Sequence, residues 1–202
     1  LGKLKKMTGS LTIYGKAKAA VILALNYDYK TAADYLKSME EYSVYREDMG
    51  RYYDTRKAYY SWRNYKIPTE VAAIEALQAL DAQTISASLS ASSAISKQQT
   101  IEEMQRWLLM SKRTQEWKDN PVNVVDAVYA FMQGNEKNWN RQADNAILKL
   151  DGKTLPMPKD STTLGYVKTE RAGMATQLSI DKKSDYTSWG AVYAEFKQPI
   201  FE

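Results

Sequence analysis

From Thr12 to about Gly134 apolar residues return every three or four positions, and after Asn140 that period gives way to short runs divided by turn signals. A chain that changes period once, in that order, is neither an all-helical bundle nor a β-barrel. It predicts an α+β fold, with residues 1–140 helical and residues 141–202 forming a small antiparallel β region.

The helical stretch resolves into segments. Over Thr12 to Leu25, the residues Ala17, Ala20, Val21, Ala24 and Leu25 share one face and predict a helix. A second is predicted from Thr31 to about Arg46, with Thr31 as its N-cap. Gly50 breaks the pattern, and Arg51 to Tyr65, dense in tyrosine and tryptophan, reads as an ordered connection with a short strand. Pro68 suits the first turn of a third helix whose Val71, Ile74, Leu77 and Leu80 line up on one side. Ser86 to Ser96 is compatible with a surface helix or a flexible link. Thr100 with Glu103 has the spacing of a capping box and predicts a fourth helix to about Trp117, burying Met104, Trp107, Leu108 and Met110. A fifth is expected from Pro121 to a stop near Gly134.

Three of these segments overlay. Ala20, Ile22, Ala24 and Leu25 match Ala72, Ile74, Ala76 and Leu77, and Val128, Ala130 and Phe131 continue the pattern, at offsets of 52 residues from Leu25 to Leu77 and 54 from Leu77 to Phe131. Periods of that length suggest stacked helical hairpins, each unable to bury its own face alone. Coincidence between amphipathic helices is the plain alternative.

In the β half, Asp151-Gly152 is a two-residue hairpin turn between Ala146–Leu150 and Lys153–Met157. Gly165–Thr169, Thr176–Ile180 and Trp189–Phe196 are further strand candidates.

The chemistry available is narrow. With no cysteine and no histidine, thiolate nucleophiles, disulfides, Cys/His zinc sites and Ser-His or Cys-His catalysis are all excluded. No phosphate loop, dinucleotide fingerprint or calcium loop is present, so no metal or cofactor is expected. The net charge of +4 is spread along the chain and predicts no nucleic-acid partner. A hydrophobic share of 44% is enough to build a core, while the longest apolar run, Ala19 to Leu25, is too short to cross a bilayer. The chain opens at Leu1 without an initiator methionine or signal-peptide layout, which reads as trimming from a longer polypeptide.

The remaining candidates have stronger structural readings. Glu40 with Glu41, and Glu102 with Glu103, are neighbours that diverge by roughly 100 degrees on a helix, so neither pair converges on a substrate atom. Ser179 and Lys182 have Ser-x-x-Lys spacing, but on a strand entering a turn rather than at the start of a helix, and Ser184-Asp185-Tyr186 follows too closely. The aromatics from Tyr52 to Tyr65, interleaved with Arg51, Arg56, Lys57 and Arg63, suit packing and cation–π contacts better than sugar binding. No catalytic, cofactor-binding or metal-binding residue is assigned.

Gly50-Arg51-Tyr52-Tyr53, Ser61-Trp62 and Ile67-Pro68-Thr69-Glu70, leading into Ala72-Ala73-Ile74-Glu75-Ala76-Leu77, resemble the late toroid region of bacterial alpha-macroglobulins, especially the long forms of Bacteroidetes-type organisms. Asn123-Val124-Val125-Asp126-Ala127-Val128-Tyr129-Ala130 is similar to that family's last toroid helix, and Ser188-Trp189-Gly190-Ala191-Val192-Tyr193 to the strand motif after it. The resemblance spans most of the chain and keeps the family's order.

It implies a partial α/α toroid followed by half of a CUB-like sandwich. The implied function is that of a non-enzymatic structural module of a periplasmic or cell-envelope endopeptidase inhibitor, which cages a protease after bait cleavage. Its implied partners are proteases, reached through the full-length parent, and neighbouring domains of the same chain. The thioester of some relatives needs a cysteine, which this chain lacks. Open sheet edges predict self-association. The competing expectations are a glycan-processing α/α-toroid enzyme, which needs a converging acidic pair in a cleft lined by Tyr52, Tyr59 or Trp62, and a carbohydrate-binding module with those aromatics on one flat surface.

Overall fold

The computed structural model describes residues 1–7, 9–58, 65–80, 97–112, 117, 120–132, 146–156, 173–183, 192, 193, 195 and 197. They form an α+β fold in two compact units, one drawn from Leu1–Glu136 with Ala191–Glu202, the other from Lys137–Gly190.

The first unit opens with a short 3-10 turn, Leu4–Lys6, and then helix α1, Ile13–Leu25. Thr12 caps α1 as its hydroxyl accepts the Gly15 N–H at 3.0 Å. Ala17, Ala20, Val21 and Ala24 are buried as the spacing predicts, but Leu25 is 70% exposed, because it lies on the flank that no neighbour covers. Helix α2, Tyr29–Glu40, starts earlier and ends sooner than its sequence pattern predicts. Asp28 is the N-cap, accepting from both the Thr31 N–H and the Thr31 hydroxyl, so Thr31 lies inside the helix. The segment expected to continue α2 to Arg46 instead turns at Glu41 and becomes strand β1, Ser43–Arg46. Val44 and Tyr45 favour a pleated backbone, and the positive φ of Gly50 lets the chain return as β2, Gly50–Tyr53. The two strands pair antiparallel, Ser43 opposite Tyr53 and Arg46 opposite Gly50.

Helix α3, Lys66–Ala79, starts two residues before Pro68, which fits because a proline anywhere in the first turn sacrifices no intrahelical hydrogen bond. It is the central element: Val71, Ile74, Leu77 and, just past its end, Leu80 are buried, and α1 and helix α5, Pro121–Met132, pack on it. Helix α4 spans Lys97–Ser111, so Thr100 is within the helix and no capping box forms; Glu103 turns instead to Arg51 of β2, at 2.8 Å. Tyr52 stacks on Trp107 with centroids 5.5 Å apart. Gly50 comes so close to α4 that a Cβ there would meet the Glu103 carbonyl oxygen at 2.3 Å. Buried residues of α1 to α4 make one contiguous core.

The overlaid helices α1, α3 and α5 are spatial neighbours in that order, but matched positions are not equally buried. Ile74 is fully buried, whereas Ile22 and Val128 are 45% and 51% exposed. α3 lies between α1 and α5, and α1 packs on α2 as well as on α3, so Ile22 and Val128 sit on the faces of their helices turned away from those neighbours.

In the second unit, β3, Ile147–Leu150, and β4, Lys153–Thr154, form the expected hairpin. Asp151 and Gly152 both have positive φ, 48° and 76°, as a type I′ turn requires. Strand β5, Leu178–Asp181, pairs antiparallel with β3, giving the order β4-β3-β5. The Asp151 carboxylate accepts the N–H groups of Thr176 and Gln177 and the Thr176 hydroxyl, which fixes where β5 enters. The strand candidate Gly165–Thr169 and the Ser86–Ser96 link lie outside the described residues; so does most of Trp189–Phe196, whose described Val192, Tyr193 and Glu195 belong to no strand.

Candidate functional site

Helix geometry brings three outer faces to one cleft of about 320 Å³. Tyr14 and Lys18 stand one turn apart on α1, Val71 and Glu75 one turn apart on α3, and Asp126 and Tyr129 on adjacent turns of α5. Because α3 is flanked by α1 and α5, its Pro68, Val71, Ala72 and Glu75 form the floor of the cleft and the other two helices its walls.

The Lys18 ammonium donates to the Glu75 carboxylate in a direct ion pair and lies 6.0 Å from the centre of the Tyr14 ring. Burial alone lowers the pKa of Lys18, but the Glu75 hydrogen bond and charge, helped by Tyr14 and Asp126, carry it above the usual lysine value. The lysine is therefore a fixed cation at working pH, with neither base nor nucleophile character. Tyr65 braces Tyr14 edge-on at 4.9 Å. Asp126 is half-buried and in no ion pair among the described residues, and Tyr129 is 43% exposed. Two carboxylates against one ammonium leave the cleft with one net negative charge between tyrosine walls.

A second polar feature sits in the core. Glu70 is 1% exposed; its Oε2 accepts the Tyr53 N–H at 3.2 Å and its Oε1 has no hydrogen-bond partner among the described residues. Burial pushes its pKa well above the usual carboxylate range, against the opposing pull of the Tyr53 N–H and Arg51. Glu70 does not line the cleft.

Among the described residues, those singled out from sequence do not assemble into a site. Tyr52 and Tyr53 pack inward, and Arg51 lies over the Tyr45 ring at 5.5 Å, so the cation–π contact forms within the hairpin. Tyr59 and Trp62 lie outside the described residues. Glu102 accepts from Gln98 and Glu103 from Arg51, each on its own side. Ser179 is paired with Lys149 in the sheet, with Lys182 just past the strand, and Ser184 to Tyr186 lie outside the described residues. The cleft itself was not apparent in the sequence. Its one local signal was Lys18 inside the apolar pattern of α1, four residues after Tyr14.

No group of metal-ligating side chains occurs among the described residues, and none of their helices is long and apolar enough to cross a membrane. Comparison with family models, curated proteins and solved structures found no match to this chain.

Proposed function

We propose that this chain is a non-catalytic packing module of a bacterial alpha-macroglobulin-like protease inhibitor, a partial α/α toroid with a following CUB-like β segment. The observation that carries the reading is the composition of α5. Its inward face supplies Asn123, Ala127 and Ala130 to the interior, while its outward face carries Val122, Val125, Val128, Tyr129 and Met132, all at least 42% exposed. A helix at the surface of a self-sufficient domain has a polar outer face; one that is apolar all round belongs inside something larger. The order α1–α3–α5, matching the overlay at 52 and 54 residues, supports a run of stacked hairpins that continues into neighbouring domains of the same parent. Periplasmic or cell-envelope placement, and proteases as partners of the parent, come with the family resemblance.

A glycan-processing toroid is the second reading, because Glu75 and Asp126 share a cleft with Tyr14 and Tyr129. The Lys18 clamp on Glu75 works against it, since it keeps that carboxylate occupied in an ion pair.

The test is to incubate the full-length parent with a panel of proteases and assay each on a large protein substrate and on a small chromogenic peptide. A cage excludes by size, so activity on the protein is expected to fall while activity on the peptide persists. Equal activity on both would reject trapping for those proteases and put glycan hydrolysis screens first.

A further inference from the structure

We propose that the cleft between α1, α3 and α5 receives an arginine side chain from a protein segment that covers the open face of α5. This builds on the reading of α5 as a contact surface, but not on protease trapping.

Three observations converge on that ligand. The first is charge: Lys18 is in a direct ion pair with Glu75 and attracts Asp126 only at longer range, so one carboxylate charge is in excess, and a cation entering beside Asp126 makes the cleft neutral. The second is the aromatic walls. Tyr14 and Tyr129 line the cleft, and a planar guanidinium is the cation best suited to lie against an aromatic side chain while its N–H groups reach a carboxylate. Tyr14 already has one cation, Lys18, near its ring. The third is continuity with an apolar surface. Val125, which lines the cleft, is 66% exposed, and Val128 beside it is 51% exposed. A free small cation would fill the cleft and leave both valines in water, whereas a peptide with aliphatic residues flanking its arginine covers them. A volume of about 320 Å³ holds a side chain, not a folded element.

The experiment titrates the 202-residue chain with three probes, followed by NMR shifts or calorimetry. They are a capped valine–arginine–valine tripeptide, the same peptide with citrulline in place of arginine, and n-butylguanidinium. The arginine peptide is expected to saturate with a Kd on the order of 1 mM or tighter, and the citrulline peptide to bind at least about fivefold more weakly, since it keeps the shape and loses the charge. Asp126→Asn should weaken the arginine peptide about fivefold. Lys18→Met should tighten it about threefold, because it leaves Glu75 unpaired and doubles the net negative charge; a residue that merely holds the fold would weaken binding when removed.

Citrulline binding as well as arginine, or Lys18→Met weakening the arginine peptide, overturns the proposal. Butylguanidinium matching the arginine peptide overturns the protein partner and leaves a site for free cations. Lys18 and Asp126 are both partly exposed, and thermal melts of the two variants check that each is folded. None of these results depends on whether the parent traps a protease.

Discussion

Glu70 puts a carboxyl group where the described residues around it offer one backbone N–H and nothing for its second oxygen. A carboxylate there would be a buried charge in no direct ion pair among the described residues, whereas the neutral acid costs less, so burial outweighs the Tyr53 N–H and Arg51 and favours the protonated form. Tyr53 next to it is likewise pushed up, by burial first and by the Glu70 charge second, with Arg51 opposing. The folded pKa of Glu70 lies above the value of 4.5 that applies when the chain is open. Between those two values the unfolded chain releases a proton that the fold retains, so rising pH favours unfolding. The slope for one such group is up to about 1.4 kcal/mol per pH unit. Glu70→Gln keeps an acceptor for Tyr53 and removes the titration. In urea melts from about pH 4 to about pH 8 the variant should gain on the wild type as pH rises. A difference that stays flat with pH would mean that Glu70 is already ionised in the fold.

The β1–β2 hairpin shows what a single glycine can hold in place. Gly50 has φ of 97° and brings its backbone against that of α4, where a methyl group would lie 2.3 Å from the Glu103 carbonyl. Gly50→Ala has to strain the backbone and push α4 away from Tyr52 and Arg51, so it should cost at least about 2 kcal/mol, read as a shift in the denaturation midpoint. A loss below about 0.5 kcal/mol would mean that the hairpin and α4 are not in close contact. This same contact marks the limit of what the sequence conveys. Elements set by local period or local chemistry were legible: α1 with its face of Ala17, Ala20, Val21 and Ala24, α3 with its row of buried residues, and the Asp151-Gly152 turn. Elements decided by distant partners were not. Tyr42 to Tyr53 has no helical period of its own past Glu40, and its strands form against each other and against Trp107, which follows more than fifty residues later. Glu103, three after Thr100, looked like a capping partner because nothing local shows that Arg51 will claim it. The cleft was hidden for the same reason. Lys18, Glu75 and Asp126 are ordinary charges on three separate helices until α3 brings them together.

At the scale of the whole molecule, the unusual quantity is apolar surface left in water. Val122 and Val128 on α5 are 60% and 51% exposed, and on the other unit every residue of β5 is exposed, with Ile180 at 60%. At roughly 25 cal/mol per Å² of apolar area, covering such faces drives association whenever a complementary surface is at hand. In the parent a neighbouring domain fills that role under the reading proposed here; for the chain on its own, another copy is the partner of highest concentration. Sedimentation velocity is therefore expected to show a weight-average mass that rises from about 10 µM to about 500 µM, the range where exposed faces of this kind associate. The two candidate faces separate by substitution. Val122→Glu with Val128→Lys adds charge to α5 without touching the cleft, and Ile180→Lys does the same on β5, where charged edges block strand addition. All three positions are exposed, so stability should change by no more than about 0.5 kcal/mol in either variant. If the α5 variant alone becomes monomeric, the helix face is the contact surface, as the composition of α5 requires. If only the β5 variant does, association runs through the sheet edge and the outward valines of α5 lose their standing as an interface. A wild-type chain that stays monomeric across the range would mean that neither face is sticky enough to need a partner, and the packing-module reading would lose its main physical support.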